Sequence, residues 1–333
     1  MARGGGTGGY QGLALNHDRR AYCCVKRIAL KAVAGALTSE GGTTFSGEDD
    51  PELVAEALPF AMKTYESLLA SLPNDPKLNY VTGKTFTMYA YAFVQYPADT
   101  LPDQSIDKKN EQLLRAKKLY LRGRDYILTA LTLKHKSFRR LLDNNKIDSA
   151  MAITNKADTS MLYWAAMSWM GAFTADKFDL GLLVDIKKPV AMMNRVSALN
   201  PDYAEGSLYD FYISFYGAMP KAMGGDKAKA RESFKKAIEL SKGSRLGPYI
   251  ALATAISVPE QNVAEFRELL NTALAINIDT YPANRLVNTL AHRRAQWMLD
   301  NIGTYFLSES GTDSDESFPP NDSADVKAPE EPK

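Results

Sequence analysis

Cysteine is nearly absent from this sequence of 333 residues: there are two, Cys23 and Cys24, and they are neighbours. Adjacent cysteines rarely form a disulfide with each other, because the small ring they would close conflicts with normal disulfide geometry. No other cysteine is present, so the sequence excludes a disulfide framework in any compartment. Taken alone, the pair is most simply two thiols on a helix without a special role.

Histidine is also scarce, and no two of the three histidines have a metal-ligand spacing such as H-x₃-H. The sequence has no nucleophile elbow, P-loop or GxGxxG motif between a strand and a helix. Asp49 and Asp50 lie at a helix start, where the helix dipole favours acids. A lytic transglycosylase can be built on a helical solenoid, but it needs a glutamate in a cleft beside a lysozyme-like domain, and no segment resembles one. We therefore predict no enzymatic activity, no metal site and no cofactor.

Long apolar runs are missing as well, and none approaches the roughly 20 residues that a membrane-spanning helix needs. Residues 1–22 are Gly-rich and polar, without the apolar core of a signal peptide.

An excess of one charge is missing too: the sequence has 40 Lys and Arg against 39 Asp and Glu. That balance argues against nucleic acid as the main partner, because nucleic-acid binding usually needs a basic face. The charge is unevenly spread, with a basic beginning and an acidic end.

The composition divides the chain into three parts. Residues 1–22 are predicted to be a disordered leader or a remnant foreign to the native chain. Residues 23–306 form a helical domain, and residues 307–333 form a disordered acidic tail rich in Ser and Pro. No stretch shows sustained strand alternation, so the fold class is all-α with roughly a dozen helices.

Helix signals and apolar spacing predict the individual helices within this domain. Pro59 is expected to kink the first full helix and Pro189 to interrupt a later one, and Asp158 is expected to cap the helix that follows it. The predicted ranges are 50–71, 77–96, 107–134, 160–175, 181–199, 204–217, 226–241, 247–256, 260–276 and 283–306.

The stretch ARESFKKAIELS places Ala230, Phe234 and Ala237 on one helix face, as in the second helix of a tetratricopeptide repeat. Four further stretches have the same spacing, and the last residues of the five sets are 68, 130, 196, 237 and 273. Successive positions in this set are separated by roughly one or two tetratricopeptide periods of about 34 residues. A plain helical bundle is the alternative, because ordinary amphipathic helices also produce this spacing. The recurrence favours an α-solenoid, or superhelix, of degenerate tetratricopeptide-like helix-turn-helix repeats.

Two helices are unusually aromatic, TMYAYAFVQY (87–96) and LYDFYISFYGAMP (208–220), and a third contains tryptophan and tyrosine. Most of these residues are expected to be core. Hydroxyl and amide groups suit a concave ligand or partner surface better than a dry core. We expect Tyr91 with Gln95 on one helix face, Trp164, and Tyr212 with Tyr216 to be the ligand- or partner-binding residues.

Six segments follow one another in an order that tetratricopeptide proteins at large do not share: DDPELVAEALPFAMKTYESLLASLPNDPKL, TMYAYAFVQ, AKKLYLRGRDYIL, MLYWAAMSW, LYDFYISFYGAMPKAMGGDKAKARESFKKAIELSKG and YPANRLVNTLAHRRAQWMLDNI. In this arrangement they resemble the TatT family, tetratricopeptide-like bacterial lipoproteins associated with tripartite ATP-independent periplasmic (TRAP) transporters. The resemblance covers roughly residues 24–306.

The resemblance implies a periplasmic, non-enzymatic accessory scaffold whose partner is the solute-binding subunit of a TRAP transporter. It also implies a homo-oligomer, with a trimer as one candidate, and an internal cavity or channel for a small hydrophobic ligand. The family's lipid-modified cysteine corresponds to Cys23 or Cys24, and Cys23, the first of the two, is the better candidate, so a lipid anchor would be the membrane attachment. The chain departs from the family just before it, where Tyr22 stands in place of the small residue of a lipobox.

A second hypothesis belongs to a different class of protein. A general tetratricopeptide adaptor of an envelope protein-assembly complex would bind peptide tails, and basic residues on its concave face would clamp their carboxylates.

Overall fold

The computed structural model describes residues 45–307, together with Met1. The predictions for the leader 1–22, for Cys23 and for the acidic tail beyond Leu307 lie outside the described residues. Residues 45–307 contain helices and no strand, which confirms the all-α prediction. None of the described helices is long and apolar enough to cross a membrane.

The α-helices are numbered here in chain order, and two of them continue into π-helical turns, Tyr91–Gln95 after α2 and Ala253–Ser257 after α12. Their bounds are α1 Pro51–Ser71, α2 Pro76–Ala90, α3 Tyr96–Asp99, α4 Ile106–Lys134, α5 Phe138–Asp143, α6 Ile147–Ala152, α7 Thr159–Ala175, α8 Leu180–Asp185, α9 Lys187–Leu199, α10 Tyr203–Ala218, α11 Lys227–Ser241, α12 Gly247–Leu252, α13 Val263–Leu274 and α14 Arg285–Asp300.

Short polar side chains begin many of these helices. The Asp50 carboxylate accepts a hydrogen bond from the Leu53 amide, and Asp75 does the same for Leu78, each at 3.0 Å. Proline follows both caps, at the first helical position, where its missing N–H needs no partner. Side chains of Asp179, Asp226 and Asn262 cap α8, α11 and α13 in the same way.

Pro189 and Asp158 act differently from what we predicted. The helix α1 runs unbroken through Pro59. The 181–199 segment does divide, but at Ile186, because Pro189 lies in the first turn of α9, where proline is tolerated. Asp158 precedes α7 without capping it. Its carboxylate turns back and accepts a hydrogen bond from the Asn155 amide at 2.9 Å.

The predicted helix 77–96 changes geometry at YAFVQ. Residues Tyr91–Gln95 form a π-helical turn, which has more residues per turn than an α-helix. The Tyr91 side chain is 51% exposed, whereas Gln95 is 8% exposed. The two side chains therefore differ in exposure, and their joint role in binding stays a prediction.

Successive long helices pack against each other along the chain, first α1 with α2, then α2 with α4, α4 with α7 and α7 with α9. The contact of α2 with α4 is close because Gly83 faces Gly123: a Cβ on Gly83 would lie 2.4 Å from the Gly123 carbonyl oxygen. The chain continues with α10 on α11 and α13 on α14. This stacking matches the predicted solenoid of helix pairs.

The stretch ARESFKKAIELS, which indicated a repeat, packs against neighbouring helices. Ala230 and Ala237 are fully buried in α11. Phe234 is half-buried, and its ring meets Tyr249 edge to face with centroids 5.4 Å apart. Phe234 is thus a packing residue that joins α11 to α12.

The last helix returns to the first, so the row of helices closes on itself. Val54 and Leu58 of α1 pack with Leu286 of α14 in one buried cluster. The Leu286 amide donates a hydrogen bond to the Ser46 carbonyl oxygen at 3.0 Å. Above this cluster, Arg293 forms an ion pair with Glu52. Closure brings Arg294 of α14 against Tyr91 of the π-turn Tyr91–Gln95.

Candidate functional site

The tyrosines that we predicted as binding residues lie in two regions. One is the contact of the π-turn and α3 with α14, here called the central recess and defined by Tyr91, Tyr96, Asp99 and Arg294. The other is a groove of about 270 Å³, here called the tyrosine groove, between α9, α10 and α11. Its lining residues are Ser197, Tyr209, Tyr212, Tyr216, Lys229, Glu232, Ser233 and Lys236.

Tyr91 extends into the central recess from the π-turn. Its hydroxyl accepts a hydrogen bond from Arg294 Nη1 at 3.4 Å. It also interacts electrostatically with two buried tyrosines, Tyr120 of α4 and Tyr163 of α7. The Tyr91 side chain is half exposed and lies near α4, α7 and α14. Its role as a ligand contact stays a prediction.

Gln95 holds the π-turn against two neighbouring helices. Its Oε1 accepts a hydrogen bond from the Tyr120 hydroxyl at 2.7 Å, and its Nε2 donates to Thr174 Oγ1 at 3.3 Å. Burial raises the pKa of Tyr120 well above its usual value, so that hydroxyl remains a donor. The structure thus places the Gln95 amide in a buried network that supports Tyr91.

Arg294 is the cation of the central recess. Its guanidinium lies 5.7 Å from the centre of the Tyr96 ring, a cation–π distance. Burial disfavours the charge, but Tyr91 and Asp99 outweigh it and leave the pKa of Arg294 above its usual value. Burial also raises the pKa of Asp99, while Arg294 opposes that shift. The recess therefore holds a permanent positive charge and a carboxylate that is costly to ionise.

A second charged pair joins α10 to the segment before α12. Asp210 of α10 forms an ion pair with Arg245, and their side chains retain 24% and 14% exposure. Burial raises the pKa of Asp210 even though Arg245 lowers it. Burial also raises the pKa of Tyr163, and Asp210 adds to that shift.

Tyr212 and Tyr216 come together in the tyrosine groove. Their rings stack with centroids 5.5 Å apart, and the Tyr212 hydroxyl donates to Asn194 Oδ1 at 2.8 Å. The Lys229 ammonium lies 5.7 Å from the centre of the Tyr216 ring. Burial raises the pKa of Tyr212. The groove thus combines stacked rings with lysine side chains, a surface suited to an aromatic or acidic segment of a partner.

Trp164 belongs to neither region. It is half-buried, and its ring meets Tyr163 edge to face at 5.5 Å. The Lys84 ammonium lies 5.4 Å from the centre of the tryptophan ring. Its role in binding therefore stays a prediction, as do those of Tyr91, Gln95, Tyr212 and Tyr216.

Reasoning from the sequence missed Arg294 and Asp99. In AHRRAQ the two arginines look alike, yet Arg293 lies on the outer rim and Arg294 turns inward. Charged residues on a helix are usually solvated, so nothing in the local pattern separates the two. Only the contact of α14 with α1 determines which of them faces the recess.

Within residues 45–307 no three His, Cys, Asp or Glu side chains lie close enough together to hold a metal ion. The polar groups of the recess are tyrosine hydroxyls, a carboxylate and a guanidinium. Such a set suits the binding of a small molecule by hydrogen bonds and charge.

Two comparisons with known proteins identify the family of this chain. The family model described as "TRAP transporter T-component" matches residues 47–306. An uncharacterized protein of Treponema pallidum (strain Nichols) is 32% identical over 303 residues, which cover 86% of this chain and 94% of that protein. The family is a transporter accessory component and not a known enzyme family. It associates the chain with a TRAP transporter on the periplasmic side. The chain therefore belongs to the TatT family, the T-components of TRAP transporters.

Proposed function

We propose that the protein is a non-enzymatic accessory scaffold that docks the periplasmic solute-binding subunit of a TRAP transporter and holds a small ligand in the central recess. The observation that carries the proposal is the closure of α14 onto α1, which brings Arg294 against Tyr91 of the π-turn. An aromatic ring beside a guanidinium suits the binding of a small ligand.

Attachment to the membrane is part of the same proposal. We assign lipid modification to Cys23, which lies ahead of the helical domain, and we place the mature protein in the periplasm on a lipid anchor. Two acyl chains would suffice for stable anchoring without a spanning helix. Metabolic labelling with a palmitate analogue tests this assignment: Cys23→Ser should abolish label that Cys24→Ser leaves in place.

An exposed apolar stretch supports contact with another protein. Phe178, Leu180 and Val184 lie within seven residues at the start of α8, and the Phe178 side chain is 93% exposed. Large apolar side chains grouped on a surface mark interaction sites more often than single ones do. We assign this stretch to the docking partner or to self-association as a homo-oligomer, with a trimer as one candidate.

Affinity purification from the native cell envelope tests the proposed function. Bait protein with a cleavable tag should recover the solute-binding subunit and the membrane subunits of one TRAP transporter, identified by mass spectrometry. Phe178→Ser should reduce that recovery or the oligomer size, whereas Phe60→Ser, a second highly exposed phenylalanine on α1, should leave both unchanged. Recovery of an outer-membrane assembly machine in place of the transporter contradicts the proposal.

The tetratricopeptide adaptor is the second candidate, and the lysines of the tyrosine groove favour it. Lys229 and Lys236 lie two helical turns apart on one edge of the groove, where they could receive carboxylates of a peptide tail. Glu232 stands between them and reduces the net positive charge. Binding of an acidic C-terminal peptide that Lys229→Gln abolishes would support the adaptor, and a lack of such binding would leave the transporter scaffold.

A further inference from the structure

The tyrosine groove has the size of a site for one or two peptide side chains. Its volume of about 270 Å³ lies below the roughly 300–1,000 Å³ of most small-molecule pockets. Tyr212 and Tyr216 stack in it with centroids 5.5 Å apart, and Tyr209 meets Tyr212 at 6.2 Å. Tyr209 and Tyr216 are only half-buried, so part of this row of rings contacts solvent. Such a row suits proline or phenylalanine side chains of an extended peptide.

The edge of the groove is basic. Lys229 and Lys236 of α11 are both exposed there, and Glu232 is the one acid in the lining. Lys229 lies 3.8 Å from the carboxylate of Asp226, and Lys236 has no ion-pair partner within residues 45–307. The whole of α11 carries five Lys and Arg against two Glu. An acidic segment would therefore complement this edge.

The described part of the chain ends close to α11. The Leu307 amide donates a hydrogen bond to Gln261 Oε1 at 3.2 Å. The neighbouring Glu260 forms an ion pair with Lys227 of α11 at 3.1 Å. Residues 308–333, here called the acidic tail, therefore begin beside the helix that borders the groove.

The tail must cross α11 to reach the groove. At 100° per residue, Lys227 and Lys236 lie on opposite sides of this helix, and the exposed Lys235 lies between them. A helix with its side chains is about 10–12 Å across. The residues from Leu307 to Phe318 can extend over about 35 Å. The chain is therefore long enough to pass over Lys235 and enter the groove.

The acidic tail has the chemistry that the groove lacks. It contains eight Asp and Glu against two Lys. Within it, the segment DSDESFPP (313–320) places three acids directly before Phe318, Pro319 and Pro320. The carboxylates match the lysines of the groove edge, and the apolar rings match its tyrosines.

We propose that residues 313–320 of the acidic tail bind in the tyrosine groove of the same molecule, with carboxylates at Lys229 and Lys236 and Phe318 against the tyrosine rings. A tail in this position excludes other acidic segments from the groove and so limits which partners can bind there. The contact forms within one chain and is separate from docking of the solute-binding subunit.

Lysine acylation of the full chain, read by mass spectrometry, tests the contact from the side of the groove. A triple variant that neutralises the acids of the segment should raise acylation of Lys229 and Lys236 at least about threefold over wild type. Lys108, an exposed lysine of α4, is the internal reference. The substitutions are Asp313→Asn, Asp315→Asn and Glu316→Gln. Equal acylation of the two groove lysines in wild type and variant overturns the proposal.

A second triple variant removes the same charge from the far end of the tail. Acylation of the groove lysines should stay at the wild-type level, because these acids lie beyond the segment 313–320. The substitutions are Asp325→Asn, Glu330→Gln and Glu331→Gln. An equal rise in both triple variants would show a general effect of tail charge, and the assignment of the segment would fail.

The aromatic part of the contact is tested without a change in charge. Phe318→Ala should raise acylation of the groove lysines about twofold, because the segment loses its ring contact. Val326→Ala, at an apolar residue beyond the segment, is the matched control and should leave acylation unchanged. The same acylation in both variants overturns the placement of Phe318 on the tyrosine rings.

Proteolysis tests the contact from the side of the tail. A glutamate-specific protease should cut after Glu316 about threefold faster in the double variant Lys229→Gln/Lys236→Gln than in wild type, with the cut after Glu330 as reference. The double variant Lys108→Gln/Lys118→Gln removes the same charge from exposed positions of α4 and should leave the rate unchanged. A rate that the groove variant does not alter overturns the proposal.

Protein concentration separates binding within one molecule from binding between two. Protection of the groove lysines should be equal at about 1 μM and about 50 μM, because a tail in the same chain has a fixed effective concentration. Protection that appears only at the higher concentration would assign the groove to the tail of a second copy and overturn the proposal. Both measurements use this chain alone, so their outcome does not depend on whether the solute-binding subunit docks.

Discussion

Glu52 and Arg293 are 241 positions apart in the sequence, yet Arg293 Nη1 donates to Glu52 Oε1 at 2.5 Å and Nη2 donates to Oε2 at 3.2 Å. Their contact marks the place where α14 meets α1 and the row of helices becomes a ring. A small cavity of about 140 Å³ lies beside it, lined by residues that include Phe93, Tyr96 and Leu290. The contacts of Arg294 on α14 with Tyr91 of the π-turn and Tyr96 of α3 depend on this closure.

The apolar part of the junction is expected to hold the ring closed. The Leu286 side chain is 6% exposed, and Leu286→Ala should lower the free energy of unfolding by about 2–4 kcal/mol. Glu52→Gln should have almost no effect, since both partners of the ion pair are exposed and solvent screens them. Urea denaturation at low and high salt checks both variants. A larger loss for Glu52→Gln than for Leu286→Ala would show that charge and not packing closes the ring.

The close approach of α2 and α4 should make Gly83 intolerant of any side chain. A Cβ there would lie 2.4 Å from the Gly123 carbonyl oxygen and 2.5 Å from Ile127 Cγ1, so the helices would have to separate. We expect Gly83→Ala to destabilise the fold by about 2–3 kcal/mol, despite the better helix propensity of alanine. Gly303→Ala is the matched control, because no atom lies within 4 Å of a Cβ at that position. Thermal unfolding compares them, and equal midpoints would contradict the close packing.

The buried carboxylate of Asp158 should make stability depend on acid pH. It accepts hydrogen bonds from His135 Nε2 at 2.8 Å and from the Asn155 amide, and it pairs with Lys134. Burial raises the pKa of Asp158, but Lys134, Asn155 and His135 outweigh it, so the folded pKa lies below the usual one. The contribution is therefore complete above the unfolded pKa of about 3.9 and is lost as pH falls through the lower folded value.

Asp158→Asn should cost about 2 kcal/mol at pH 7, where Lys134 loses its carboxylate partner. The difference from wild type should shrink as the pH is lowered from 5 towards 3. Asp143→Asn is the control: its carboxylate is exposed and pairs with Arg139 one helical turn away, so the cost should stay below about 0.5 kcal/mol. Urea unfolding at a series of pH values measures this, and a pH-independent difference would contradict the assignment.

The hydroxyl of Tyr120 should be needed to hold the π-turn. Tyr120→Phe leaves the buried Gln95 Oε1 without its 2.7 Å donor, and we expect a loss of about 1–2 kcal/mol in the free energy of unfolding. Hydrogen exchange should also become faster at the amides of Tyr91–Gln95. Tyr209→Phe, at a half-buried tyrosine of α10 whose described contacts involve its ring, should cost less than about 0.5 kcal/mol. Similar losses in the two variants would mean that Gln95 does not depend on Tyr120.

Helix positions followed from local chemistry, because caps such as Asp50-Pro51 and apolar spacing act within a few residues. The prediction for 107–134 differs by one residue from the observed Ile106–Lys134. The small residues Ala230 and Ala237 are buried as the repeat pattern indicated. The family segments were specific enough to predict the TatT family, which the match over residues 47–306 confirms.

Features that depend on contacts between distant helices could not be predicted in this way. The π-turn replaces α-helical spacing at Tyr91–Gln95, and residue type alone does not distinguish it from an α-turn. The inward turn of Arg294 depends on closure over more than 200 residues. Asp158 looked like a cap, but burial beside Lys134 and His135 redirected its carboxylate.

The central claim, that this member of the TatT family is a scaffold for a solute-binding subunit, is tested most directly by a titration of the two purified proteins. Isothermal titration calorimetry of the full chain against the solute-binding subunit of its own transporter should give a saturable complex with a dissociation constant of about 10 μM or tighter. No heat and no co-sedimentation at about 50 μM of each protein, with both shown to be folded, would contradict the account.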